Sequence, residues 1–167
     1  MEIERKWRLK KLPDCCTNDL RSEIDQGYLF DGEYELRLRR STTVHYITVK
    51  GSGHLARHEW ESVIPKWVFD GLWNKVNHKI SKDRFTIKTD IGVESYNIQK
   101  FEFDEYKLSL SGLIIVECEF NSIIDAESFR LPGWVGAAIE VTNDPMYKNK
   151  ALAKLVSLDQ LKFYQER

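Results

Sequence analysis

Charged residues in this chain recur two positions apart, mostly in pairs of one sign. Glu2 with Glu4, Glu59 with Glu61 and Glu117 with Glu119 are acidic pairs; Arg37 with Arg39 and Lys82 with Arg84 are basic ones. Two residues is the period of a strand, so each pair shares one face. Clustered carboxylates are oxygen ligands for a hard cation such as Mg²⁺ or Mn²⁺. Clustered Arg and Lys grip a polyanion, most simply a chain of phosphates. Both together describe a metal–polyphosphate site.

The elements that must carry these pairs are strands. Period-2 alternation marks segments 2–9, 25–30, 33–41, 44–50, 57–64, 83–89, 96–106 and 114–121. In seven of them charge takes one face and bulk apolar side chains the other. Arg37 and Arg39 oppose Leu36 and Leu38, for example, and Glu117 and Glu119 oppose Val116, Cys118 and Phe120. Few helical stretches separate the strands, so the sheet is expected to be mainly antiparallel, an α+β chain. Phe69, Leu72, Trp73 and Val76 form one apolar stripe on a predicted helix over 66–78. Segments 14–23, 125–129 and 144–165 are expected to be helical, the last in pieces.

Eight strands suffice to close a small barrel. With the charged face inside, its lumen would hold carboxylates and cations, and its apolar outer wall would need a cover of helices. Buried charge without a partner costs several kcal/mol per ion, so the natural content of such a lumen is a highly charged ligand.

The 167 residues fit one domain spanning 1–167. Lys and Arg number 25 against 26 Asp and Glu, a net charge of -1 that disfavours binding along duplex nucleic acid. No apolar run approaches the ~20 residues of a membrane helix, and the Met1–Lys6 stretch has no apolar leader core. Cys15, Cys16 and Cys118 have no framework spacing and are expected as free thiols, which points to the cytoplasm.

Residues 2–6, Glu-Ile-Glu-Arg-Lys, match the ExExK signature of the CYTH family, the triphosphate tunnel metalloenzymes. Gly27-Tyr28-Leu29, Glu35 to Arg39, Thr48-Val49-Lys50, Glu59-Trp60-Glu61, Lys82 to Phe85, Phe103-Asp104, Val116 to Phe120, Glu140-Val141-Thr142 and Tyr147 to Leu152 resemble that family's segments in its order. The resemblance spans nearly the whole chain and is closest to the small bacterial inorganic triphosphatases. It implies an eight-stranded antiparallel tunnel that binds a triphosphate and cleaves a phosphoanhydride bond with Mg²⁺ or Mn²⁺.

Carried over by position, the resemblance makes Glu2, Glu4, Glu117 and Glu119 metal-binding acids. Glu59, Glu61 and Asp104 become further acids, either ligands or water-positioners, with Glu59 and Glu61 as candidate bases. Lys6, Arg37, Arg39, Lys50, Lys82 and Arg84 become phosphate-gripping cations, and Lys148 a basic residue near one tunnel mouth. Tyr28 matches a tyrosine acting beside the ExExK lysine, here Lys6. Glu102 shares the parity of Asp104 but lies outside the family pattern, so it is expected to be solvated.

The expected activity is a metal-dependent triphosphatase acting on inorganic tripolyphosphate, with nucleoside triphosphates as further candidates. The alternatives are an adenylate cyclase or thiamine triphosphatase of the same family, or a non-catalytic polyphosphate-binding module. Four glutamates on the first and late strands speak against a pure anion binder. The partner is a small-molecule triphosphate, no membrane is involved, and a homodimer is compatible with an apolar-walled barrel.

Overall fold

The computed structural model describes residues 2–52, 56–88 and 98–161. Among the described residues ten strands carry the fold, with a few short helices between or after them. The strands are β1 (Glu2–Leu9), β2 (Arg21–Asp31), β3 (Glu35–Ser41), β4 (Val44–Lys50), β5 (Ala56–Arg57), β6 (Glu59–Val63), β7 (His78–Lys88), β8 (Ile98–Tyr106), β9 (Ile114–Phe120) and β10 (Ala138–Glu140). The α-helices are α1 (Lys66–Trp73), α2 (Ile123–Ser128) and α3 (Asn149–Leu152). Every pairing is antiparallel, and the order is β10-β1-β9-β8-β7-β2-β3-β4-β6, with β5 beside β1.

Among the described residues the continuous ladder does not run back onto itself, so the expected closed eight-stranded barrel is not seen in it. Its last strand, β6, pairs only with β4 on that path. The chain interrupts segment 57–64 at His58. Beyond that point β6 stays with β4, while β5 leaves it for two residue pairs on β1, Glu2 with Arg57 and Ile3 with Ala56. The strand count rises from eight to ten through this split and through β10, too short for alternation to reveal.

Other expectations shift with tertiary pairing. Segment 14–23 holds one 3-10 turn, Asn18–Leu20, and then enters β2 at Arg21, because all of Arg21 to Tyr28 pairs with β7. Helix α1 ends at Trp73, yet Val76 in the following turn still packs on Phe69 and Leu38. That turn presses on β2 at Gly27, where a Cβ would lie 2.3 Å from Val76 Cγ1. Segment 144–165 forms Pro145–Tyr147, Asn149–Leu152 and Leu158–Gln160, with 162–165 outside the described residues. Residues 89, 96 and 97 of the expected strands also lie outside them.

The two faces of the sheet separate as the alternation predicts. Outward side chains Ile3, Trp7, Phe101, Phe103, Val116, Cys118 and Phe120 pack under α2 and under Phe129 and Val135. A second outer cluster sets Leu38 against α1. The inner face is not uniformly charged. Along β7 it reads Arg84, Lys82, Ile80; along β8 Glu102, Asp104, Tyr106; along β9 Glu119, Glu117, Ile115. Tyr28, Ile80, Tyr106 and Ile115 therefore gather at one end, where Val141, Tyr147, Leu152 and Leu161 of the C-terminal segment pack among them.

Candidate active site

The charged part of the inner face lines a cavity of about 330 Å³. Its walls come from eight strands and from the segment after β10. Lining residues include Glu2, Glu4 and Lys6 of β1, Tyr28 of β2, Arg37 and Arg39 of β3, Lys50 of β4 and Glu59 and Glu61 of β6. Arg84, Glu117, Glu119 and Lys148 complete the predicted set found there. Lys50 of β4 meets Glu2 of β1 at 3.0 Å, so the sheet has curled until strands far apart in the ladder touch through their side chains.

Register decides who meets whom. Glu4 lies opposite Glu119, and Lys6 opposite Glu117. Lys6 Nζ donates to Glu117 and sits 3.0 Å from Glu4. Arg84 lies opposite Asp104 and grips it through Nε and Nη2, both at 2.6 Å, while reaching Glu117 at 2.8 Å and Glu102 at 2.5 Å. On the other wall Arg39 meets Glu61 at 2.6 Å, Arg37 meets it at 3.3 Å, and Lys50 meets Glu59 at 2.7 Å. Acids and cations are thus interleaved into one network.

The electrostatics follow from that interleaving. Burial disfavours the Glu117 carboxylate, but Lys6 and Arg84 outweigh it and hold the group well below the ordinary range. Glu59 and Glu61 are also held low against burial, Glu59 by hydrogen bonding with Glu2 and by Lys50, Glu61 by Thr48, Arg39 and Arg37. Both are weak bases as a result. Burial raises the Tyr28 hydroxyl far above its ordinary value, so it is neutral near pH 7, and its oxygen accepts a hydrogen bond from Gln26 Nε2 at 3.0 Å.

Lys82 and Asp104 do not line the cavity. Both are fully buried, with Lys82 Nζ at 2.5 Å from Asp104, and burial depresses the Lys82 ammonium to about 8. Asp104 spends its carboxylate on Lys82 and Arg84, which makes it the seat of Arg84. Glu102, expected in solvent, instead lines the cavity between Arg84 and Lys100. The pattern of alternation carried that signal, since Lys100, Glu102 and Asp104 share one parity. Gln26 and Glu35 were legible in the same way, two residues before Tyr28 and Arg37. Thr142 and Asn149 line the cavity from segments with no period to read.

A divalent cation was the other expectation. The donor chemistry fits: Glu2, Glu4, Glu117 and Glu119 present hard oxygen donors from two neighbouring strands to one cavity. Among the described residues no three acids, histidines or cysteines converge as a ready-made metal cluster. The carboxylates point instead at Lys6, Arg84, Lys50 and Lys100.

No family model matches the chain. It is 39% identical over 155 residues to an inorganic triphosphatase of Nitrosomonas europaea, covering 91% of this chain and 96% of that protein. This chain belongs to the inorganic triphosphatase family. A crystal structure of an inorganic triphosphatase superposes with a TM-score of 0.64 at 36% identity, covering 94% of this chain and 97% of that one. Outside this range of identity, a Hippeastrum adenylyl cyclase candidate, described as having a dominant triphosphatase activity, shares the fold with a TM-score of 0.52 at 14% identity, over 76% of this chain and 83% of that one. In this member of the inorganic triphosphatase family the acid–cation network lines the cavity of the inner face.

Proposed function

We propose that this protein is a metal-dependent triphosphatase of the CYTH type that hydrolyses a phosphoanhydride bond of inorganic tripolyphosphate inside a charged tunnel. The observation that carries the reading is the pair of guanidinium groups on β3. Among the described residues the Nε of Arg37 and of Arg39 are buried without a hydrogen-bond partner, and both side chains line the cavity. Buried donors of this kind are costly unless an acceptor arrives, and phosphate oxygens are the acceptors that suit them. The two-pair contact of β5 with β1 supports the closed form of the tunnel.

Phosphoryl transfer asks a protein for position and charge. Arg37, Arg39 and Lys50 hold phosphate oxygens on one wall; Lys6 and Arg84 neutralise charge on the opposite one. Glu2, Glu4, Glu117 and Glu119 are the residues that would hold Mg²⁺ or Mn²⁺. When bound, such an ion neutralises phosphate oxygens and lowers the pKa of a coordinated water. Glu59 and Glu61 are held too low to be strong bases, so their part is to orient water and the cations beside them. Tyr28 is a neutral donor whose proton is free to face the leaving phosphate, because its oxygen already accepts from Gln26. The free thiols of Cys15, Cys16 and Cys118 suit a reducing cytoplasm.

The test is phosphate and pyrophosphate release from tripolyphosphate, ATP and thiamine triphosphate, with Mg²⁺, Mn²⁺ or EDTA, for wild type and Glu4→Gln. Turnover of tripolyphosphate is expected with metal, lost in EDTA and in Glu4→Gln. Binding without turnover of any of the three would overturn the reading.

A further inference from the structure

One cation of the network belongs to none of the matched motifs. Lys100 lines the cavity, and its Nζ lies 3.0 Å from both Glu102 and Glu119. It stands opposite Glu119 in the β8–β9 ladder, just past a shift of register between Ile98 and Lys100. That irregularity has a consequence for the two faces. Ile98 and Lys100 would share one face in a regular strand, but Ile98 packs in the outer core with Phe101 while Lys100 turns inward beside Glu102. The irregularity turns Ile98 outward, whereas Lys100 keeps the inward parity it shares with Glu102 and Asp104.

Lys100 also differs from its neighbours in freedom. Its side chain is 33% exposed, against 10% for Lys6 and 5% for Lys50. A long, half-exposed ammonium is easily moved, and its ion pairs are individually weak. Burial works against its charge, but Glu102 and Glu119 outweigh that and keep it protonated.

Resting on the metal-dependent reading above, we propose that Lys100 sets how tightly the cavity takes a divalent cation, as a built-in counter-cation that must leave Glu119 before a metal can use it. Its ammonium and a divalent ion compete for the same carboxylate. Lys6 and Arg84 restrain Glu117 in the same manner but are buried and committed to other partners. Lys100 is the adjustable member.

The experiment is Mn²⁺ binding to the full chain without substrate, read from the electron paramagnetic resonance signal of free Mn²⁺. Replacing Lys100 by Met removes its ion pair with Glu119 from the competition, so Lys100→Met is expected to bind Mn²⁺ about 2- to 5-fold more tightly. Lys100→Arg, which keeps the charge, is expected to stay near wild type. Lys88→Met removes an exposed positive charge opposite Lys100 in the ladder and controls for a general change in potential. Unchanged or weaker binding in Lys100→Met, or equal tightening in Lys88→Met, would overturn the proposal and leave the metal reading standing. Failure of wild type and Lys100→Met alike to bind Mn²⁺ at millimolar concentration would overturn the metal reading and this proposal with it.

Discussion

Arg84 and Asp104 face each other directly across the β7–β8 ladder and are joined by two nitrogen–oxygen contacts of 2.6 Å. The carboxylate is fully buried, and its second cation, Lys82, is equally buried. Asp104 thereby orients a guanidinium that reaches the cavity. Asp104→Asn removes the buried carboxylate shared by Lys82 and Arg84, although Arg84 keeps Glu102 and Glu117, and is expected to cost roughly 3–5 kcal/mol of stability. Urea unfolding measures that loss. Activity per folded molecule should also fall, since Arg84 loses its two-point seat, and full activity with full stability would refute the assignment.

Tyr28 is neutral at the pH of turnover, because burial raises its hydroxyl well above the ordinary value. Tyr28→Phe removes a donor without altering any charge. The expected loss is about 10²-fold in kcat, the scale of a single donor aimed at developing charge. The shape of the pH–rate profile between neutrality and pH 9 should not change. A lost alkaline limb in the variant would show instead that a phenolate takes part.

Acid stability depends on carboxylates held below their ordinary value. Glu59 and Glu61 are held low against burial by hydrogen bonds and nearby cations; Glu140 is held low first by its hydrogen bonds from Arg5. For a group whose folded pKa is depressed, stability is present above the unfolded value, ~4.3 for Glu, and is lost as pH falls through the lower folded value. The thermal midpoint should therefore be flat near neutrality and drop steeply below about pH 4. Circular dichroism melts at constant ionic strength will show this, and a midpoint unchanged down to pH 2 would contradict it.

Leu152 of α3 is completely buried among Tyr106, Leu110 and Tyr147 at the apolar end of the inner face. Leu152→Ala is expected to destabilise by about 2–5 kcal/mol. Hydrogen exchange should report the loosening first in the C-terminal segment. Uniform loss across the sheet would mean that this segment is part of the global folding unit.

The strands and the faces they present were legible because burial on one side of a strand writes a period of two into the chain. Segments 2–9 and 44–50 match β1 and β4 residue for residue. What escaped had no period. β10 is three residues long, and the change of partner at His58, from β1 for β5 to β4 for β6, is a pairing choice that alternation does not encode. The reading of Glu102 as solvated failed because a motif outranked parity, whereas parity places it correctly beside Asp104. The roles of Lys82 and Asp104 were hidden for a different reason: depth along a strand is invisible to alternation, which gives the face but not the distance from the mouth.

That depth has a consequence for traffic. Among the described residues, Tyr28, Ile80, Tyr106 and Ile115 meet the C-terminal segment and fill one end of the inner face with apolar side chains. A charged chain gains nothing by advancing past Arg84 and Lys6 into that packing. On the proposed function, a polyanion is therefore expected to stop with its tip beside Tyr28, and a long polyphosphate to be shortened from its end rather than cut in the middle.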